Sequence, residues 1–361
     1  MAVVRNKTRD SAPALPADRF EYSLPADRIA QAPLTARDGS RLLHLEPDGA
    51  LVDHVFTDLP KLLRPGDLLV ANDTRVRAAR LRGRTESGGP AEVLLLERID
   101  ATRFAALVRP GRRLRDGACV QVGDRLRISI VGSALGHPGA RVVALAADGD
   151  VEAVIEELGE APLPPYIRTP LTDPQRYQTL FASGPAASAA APTAGLHFTA
   201  PVQGELKNRG VGWATVQLDV GLGTFAPISG DDVHGHRMHA ERCTLPADTA
   251  ARIEEVRSAG GRVIAVGTTV VRTLESHVNG AGLLEPGTGA TDLYITPGHR
   301  WGVVDGLLTN FHQPRSSLLV LLAAFIGEDA WRRAYEHALA GDYRFLSFGD
   351  CMLCWRDGPA R

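Results

Sequence analysis

Cysteine is scarce in this chain, four residues in 361, which excludes a disulfide-stapled scaffold. The one close pair, Cys351 and Cys354, has no second pair to complete a tetrahedral zinc site. Its setting, Asp350-Cys-Met-Leu-Cys-Trp355, reads as a terminal apolar strand. Long apolar runs are also missing. The longest, Ser317 to Ile326, falls well short of the ~20 residues that span a bilayer, and Met1 to Asp10 holds no apolar segment of signal-peptide length. A cytoplasmic protein without membrane contact is expected. The net charge is only -2, so no overall basic field draws the chain to nucleic acid.

What is present is ordinary soluble composition, 44% hydrophobic and 23% charged, in a chain long enough for two domains. The charge is unevenly spread. Between Arg75 and Arg127 there are 13 arginines against 6 acidic residues, a basic segment in an otherwise acidic protein. Arg80, Arg82 and Arg84 alternate along an expected strand and share one face, while Arg109, Arg112, Arg113 and Arg115 surround a Pro-Gly turn. These arginines suit either phosphate contact or a solvated face.

Short strands punctuated by turns run from Asp67 to about Glu157: Leu68 to Ala71, Ala78 to Arg82, Ala91 to Glu97, Phe104 to Val108, Leu126 to Val131 and Arg141 to Ala146. That spacing predicts a small barrel. After Pro162-Leu-Pro-Pro165, helical patterns alternate with apolar strands. Asp248 to Ala259 is an expected helix, Arg262 to Val266 a strand, and Val270 to Val278 a second helix. The fold class is therefore mixed α and β, a larger α/β domain with an inserted small β-barrel domain. The expected division is a disordered tail over residues 1–18, an α/β catalytic domain over 19–66 and 158–361, and the barrel over 67–157.

Candidate site residues stand in small-residue loops. In Ala190-Ala-Pro-Thr-Ala-Gly-Leu-His-Phe-Thr199, Pro192 fixes one backbone angle and Gly195 frees another, so that Thr193, His197 and Thr199 project from a defined turn. His197 is the leading general acid or base, because imidazole titrates near neutral pH. His236, His239 and Glu241 form a second cluster, with the two imidazoles on one face if that stretch is helical. Gly221 and Gly223 permit close backbone approach, and Phe225 offers a ring either to a ligand or to the core. The strand-turn-helix at Gly267-Thr268-Thr269 presents free N–H groups suited to a carboxylate or phosphate, or is a plain structural turn. Arg272 and Glu275, three apart, suit an internal ion pair. Asp305, Asn310 and His312 flank a strand end, and Asn72, Asp73 and Arg75 hold a comparable place.

Asn72-Asp-Thr-Arg-Val76, Asp219-Val-Gly-Leu-Gly-Thr-Phe-Ala-Pro227, His234 to Glu241, Val266 to Ser276, Val304 to His312 and the His197 loop together resemble the S-adenosylmethionine:tRNA ribosyltransferase-isomerases of queuosine biosynthesis. The likeness starts near Phe20 and runs through Arg344-Phe-Leu-Ser-Phe-Gly-Asp350. It implies transfer of the ribosyl group of S-adenosylmethionine to 7-aminomethyl-7-deazaguanine at the tRNA wobble position. Isomerisation would then give epoxyqueuosine-tRNA, with adenine and methionine released. It also implies that S-adenosylmethionine is a co-substrate, with no further cofactor and no metal, and that tRNA is the partner; a monomer is expected, and Arg80, Arg82, Arg84, Arg112 and Arg113 are the candidates to meet the tRNA phosphates. Phe225 is a candidate to stack on adenine or the tRNA base in place of a core role, and Arg272 a candidate to hold the methionine carboxylate in place of the internal ion pair. The chain departs from the family pattern at Asp219, usually histidine, and Ala226, usually basic. Two other classes compete: a non-catalytic RNA-binding protein on the same scaffold, and a metal-dependent hydrolase built on His234, His236, His239 and Glu241.

Overall fold

The computed structural model describes residues 14–135, 139–184, 186–221, 227–228 and 230–357. Two compact units emerge: Met1–Arg75 with Pro165–Pro185 and Ala191–Arg361, and Val76–Pro164 with Ala186–Ala190. The chain opens with the hairpin β1 (Arg41–Leu45) and β2 (Leu51–Val55), followed by α1 (Leu59–Leu62) and β3 (Leu68–Asn72). After the short β4 (Arg75–Val76) come β5 (Arg80–Thr85), β6 (Pro90–Arg98), β7 (Arg103–Arg109), β8 (Cys119–Val122), β9 (Leu126–Ser133), β10 (Arg141–Ala147), α2 (Val151–Leu158) and the short β11 (Ala186–Ser188). The rest of the larger unit is α3 (Ala200–Asn208), β12 (Gly212–Leu218), β13 (Glu241–Leu245), α4 (Ala247–Ser258), β14 (Val263–Val266) and α5 (Thr268–Ser276). It ends with β15 (Gly287–Thr291), β16 (Gly306–Asn310), α6 (Ser317–Ile326), α7 (Glu328–Ala340) and β17 (Cys351–Trp355).

The larger unit is built on a nine-stranded sheet of order β15-β13-β12-β3-β14-β16-β17-β1-β2. Its centre is parallel: β3 pairs with β12 and β14, and β14 with β16. Continuous apolar runs make this possible, because both faces of these strands are covered. Leu68 and Val70 face one core with Ala265 and Leu307, while Leu69 and Ala71 face the other with Ile264 and Leu308. The first core is closed by α6 and α7 through Leu319, Leu322, Phe325, Trp331 and Tyr335, and the second by α1 and α3 through Leu59, Val202 and Leu206.

The smaller unit is a closed six-stranded barrel of order β10-β7-β6-β5-β8-β9. The expected fold class, mixed α and β with a small barrel, is the one observed. Two strand assignments change. Leu68 to Ala71 belongs to the large sheet, as its apolar run without alternation already favours, and its place in the barrel is taken by the short Cys119–Val122, whose polar Gln121 hides the pattern. The expected tail falls outside the described residues as far as residue 13. Beyond it, Leu15 and Ala17 are buried in the first core. Cys351 and Cys354 lie three apart on β17 as free, buried thiols.

Candidate functional site

Parallel strands of an α/β sheet leave their connecting loops at the carboxyl edge, and ligands bind where neighbouring connections diverge. Here β12 lies on one side of β3, and β14 and β16 on the other. A cleft of roughly 650 Å³, its open mouth included, is lined by the segments that follow these strands: Val220 after β12, Gly267, Thr268 and Thr269 after β14, and Thr309 to Gln313 at the end of β16. Ala191 to Ala194, Tyr166, Ser316, Leu318, Leu346 and Ser347 complete it.

The turn after β14 is built for close approach. Gly267 has φ 94°, and a Cβ there would stand 3.6 Å from the Cβ of Ala194. Its left-handed backbone starts α5, two residues earlier than the sequence pattern predicts, and aims the free N–H groups of the first turn at the cleft. Asn72 secures this edge from below. Its Nδ2 donates to Leu218 O at 3.0 Å and Thr269 Oγ1 at 3.4 Å, and its Oδ1 accepts from Thr74 and Leu218 N–H groups at 3.1 Å each. Leu346, a lining residue, is held at φ 70°, a conformation that leucine rarely adopts and that the surrounding packing must enforce.

His197 sits behind the cleft rather than in it. It is 4% exposed and packs on Phe56, ring centroids 5.2 Å apart. Asn310 Nδ2 approaches Nε2 at 3.3 Å, which makes Nε2 the acceptor and leaves Nδ1 to donate to Ser40 Oγ at 2.8 Å. Burial, then the positive charge of Arg344, push its pKa down to about 3, with Arg37 adding to the effect and the Asn310 bond opposing it. The same loop gives the cleft its backbone and Thr193. Gly195 serves packing, since a Cβ there would come within 2.8 Å of Phe181 Cζ and Thr179 Cγ2. His312 does line the cleft. Its Nε2 is 2.9 Å from Thr309 Oγ1, and burial pushes its pKa down to about 3. Asn310 donates to Leu346 O at 3.1 Å, and its Oδ1 is buried without a hydrogen-bond partner.

The second cluster comes apart. Glu241 is buried, and its carboxylate accepts from Gly221 N–H at 2.7 Å and from the Arg272 guanidinium. Arg272, 2% exposed, also donates to Leu293 O and Thr291 O. Arg272 therefore pairs with Glu241 and not with Glu275, because α5 turns it toward the start of β13. Glu275 instead accepts from the N–H groups of Gly302, Val303 and Val304. The segment 236–240 is not helical. His236 rests against Tyr294, ring centroids 5.4 Å apart, and His239 is exposed. Asp305 and Asn310 stand at opposite ends of β16, roughly 16 Å apart for that strand length. Asp305 is bound to Val263 N–H at 3.0 Å, away from the cleft. Asp73 accepts from Ser183 Oγ at 3.0 Å, and Arg75 is exposed. Gly223, Phe225 and Ala226 lie outside the described residues.

On the barrel, Arg80 and Arg82 are matched by Glu92 at 3.9 Å and Glu160 at 3.2 Å, and Arg84 donates to Gly88 O. Arg112 and Arg113 are exposed. Among the described residues no group of three His, Cys, Asp or Glu side chains could hold a metal ion, and no helix is long and apolar enough to cross a membrane. Tyr166, Gln313, Ser316 and Ser347 line the cleft without having been singled out. Only Ser347 carried a signal, its place in the segment Arg344 to Asp350.

Comparison with known proteins bears on this geometry. A family model described as queuosine biosynthesis protein matches residues 17–354. The S-adenosylmethionine:tRNA ribosyltransferase-isomerase of Symbiobacterium thermophilum is 48% identical over 338 residues, covering 92% of this chain and 98% of that protein. The protein of the same name from Gloeobacter violaceus is 49% identical, covering 93% and 95%. A crystal structure of S-adenosylmethionine tRNA ribosyltransferase from Thermotoga maritima is similar at a TM-score of 0.54 and 35% identity, over 93% of this chain and 99% of that one.

Proposed function

The chain belongs to the S-adenosylmethionine:tRNA ribosyltransferase-isomerase family of queuosine biosynthesis, and we propose that it transfers the ribosyl group of S-adenosylmethionine to 7-aminomethyl-7-deazaguanine at the wobble position of tRNA. Rearrangement yields epoxyqueuosine-tRNA, with adenine and methionine released. One observation carries this reading. Five segments far apart in the chain, around Thr193, Val220, Thr268, Asn310 and Ser347, converge on a single cleft at the carboxyl edge of the sheet.

The lining suits a nucleoside. Its described polar groups are hydroxyls, amides, backbone N–H groups and the neutral His312. Asn310 Oδ1, unpartnered in the protein, accepts a substrate N–H, since a buried acceptor left unmade costs about 1–3 kcal/mol. The N-terminus of α5 favours negative charge, so it stabilises an oxyanion or carboxylate there.

The sulfonium acidifies the neighbouring 5′ C–H of the ribosyl group, so isomerisation needs a base. His197 has both nitrogens engaged and resists protonation, so it positions the Asn310 amide. Glu241, tied to Arg272, positions Gly221 next to the lining residue Val220. We assign the proton transfer to the loop 236–240, which enters β13 beside that edge, with His239 as the exposed imidazole. His239→Ala should lower kcat about 10²-fold or more while leaving tRNA binding in place.

The test of the activity is adenine release, followed by mass spectrometry, from S-adenosylmethionine mixed with the protein and tRNA carrying the 7-aminomethyl base. Release that depends on the modified tRNA, with a matching mass gain on the base, is expected. No release from a protein that still binds this tRNA would overturn the reading.

A further inference from the structure

A second pocket of roughly 300 Å³, its mouth included, adjoins the cleft in the larger unit, and Ser347 lines both. Its lining differs sharply. Where the described lining of the cleft has no charged side chain, this pocket has three arginines, Arg37, Arg176 and Arg344, with the hydroxyls of Ser40 and Ser347, and no acid.

These arginines are only partly committed. Arg37 donates to Gln178 O and Gln175 O at 2.7 Å each, and Arg176 to Thr35 O at 3.2 Å and to Leu34 O. Carbonyls satisfy geometry but do not neutralise charge. Arg176 Nε is buried with no hydrogen-bond partner, a deficit that is costly for a charged group. Arg344 reaches Asp350 at 3.4 Å, and that carboxylate is already held by the N–H groups of Arg41 and Arg344 at 3.0 and 2.8 Å. Three half-buried guanidinia of one sign line one small space, an arrangement that suits an oxyanion.

We infer that this pocket seats one backbone phosphate of the tRNA strand, next to the nucleotide whose base occupies the cleft. The inference rests on the tRNA-modifying reading of that cleft. It follows from the shared wall at Ser347, because a base entering the cleft carries its flanking phosphates to the adjoining surface, and guanidinium forks bind phosphate oxygens bidentately. The carboxylate of S-adenosylmethionine has another seat at the N-terminus of α5, so the arginine pocket remains for the polyanion.

The experiment measures binding of an anticodon stem-loop RNA to the full chain by fluorescence anisotropy, with no turnover required. Arg344→Gln should weaken binding about tenfold at low salt and lower the slope of log affinity against log salt by about 0.7. Its KM for S-adenosylmethionine should be unchanged. RNAs in which single phosphates are replaced by uncharged methylphosphonate then locate the contact. One position should weaken the wild-type complex about tenfold yet cost Arg344→Gln nothing further. If Arg344→Gln does not fold, Arg344→Lys, which keeps the charge without the fork, is read against the same RNAs and should show reduced coupling at that position.

No coupled phosphate at any position would overturn the inference. So would a rise in the KM for S-adenosylmethionine with RNA binding unchanged, which would identify the seat as a carboxylate site. A coupled phosphate in a protein that releases no adenine would leave the pocket standing while the proposed reaction fails, and adenine release without coupling would do the reverse.

Discussion

Arg272 in the α/β unit is 2% exposed and is held by Glu241 and two carbonyls, whereas Arg112 and Arg113 on the barrel project into solvent. The same residue type stands in two environments. Where the low-dielectric interior makes charge expensive, arginine is paired and ties β13 to α5. On the barrel surface water screens the charge, so an arginine there adds little to stability and remains available to phosphate. Structural arginines should therefore reveal themselves in unfolding experiments, and binding arginines in salt dependence.

The sharpest way to break this contrast is Glu241→Gln, which strands the buried Arg272 and should destabilise the protein by about 3–5 kcal/mol. Chemical denaturation measures it, and a loss below about 1 kcal/mol would mean the pair behaves like a surface pair. Acid pH comes next. The pKa values of His197 and His312 are pushed down to about 3, below the ~6.5 of an unfolded imidazole. The unfolded state therefore binds more protons between these values. Stability from the two histidines is complete above about pH 6.5 and is lost as the pH falls toward 3. Between pH 7 and pH 5.5 the pair should cost about 2.5 kcal/mol, and a His197→Asn, His312→Asn double variant should flatten the curve. An unchanged pH dependence in that variant would assign the effect elsewhere.

Gly195→Ala should cost about 1–3 kcal/mol, because its methyl group would stand 2.8 Å from Phe181 and Thr179. A variant as stable as the parent would show that Phe181 can move aside. Smaller still is the effect of Arg112→Gln with Arg113→Gln. Melting temperature should hold, tRNA affinity should fall only a fewfold, and the salt slope should drop by about one per lost phosphate contact. An unaltered slope would remove these arginines from the RNA-binding surface. Arg82→Ala, which breaks an exposed 3.2 Å pair with Glu160, should change stability by no more than about 1 kcal/mol.

Much of the fold was legible from local pattern. The apolar run Leu68 to Ala71, the helix from Asp248 and the strand-turn-helix at Gly267 are each written in contiguous residues, and the structure has them within a few positions. Short Cys119–Val122 escaped because four residues with one polar insertion carry too little periodicity. The site was legible as a set of loops and not as a set of roles. Thr193, Thr268, Thr269, Asn310 and His312 reach the cleft, while His197 stands behind it, Arg272 turns to Glu241, and Asp305 sits at the far end of its strand.

Sequence by itself determined the mixed α and β architecture, the segments that surround the cleft and the family to which they belong, because periodicity, turn chemistry and motif are properties of neighbouring residues. Tertiary structure alone decided which side chains face the cleft, which histidine stays neutral, and that Arg37, Arg176 and Arg344, up to 307 positions apart in the numbering, meet in one pocket. Burial and charge pairing are set by residues distant along the chain, and those contacts exist only once the sheet and its helices have packed.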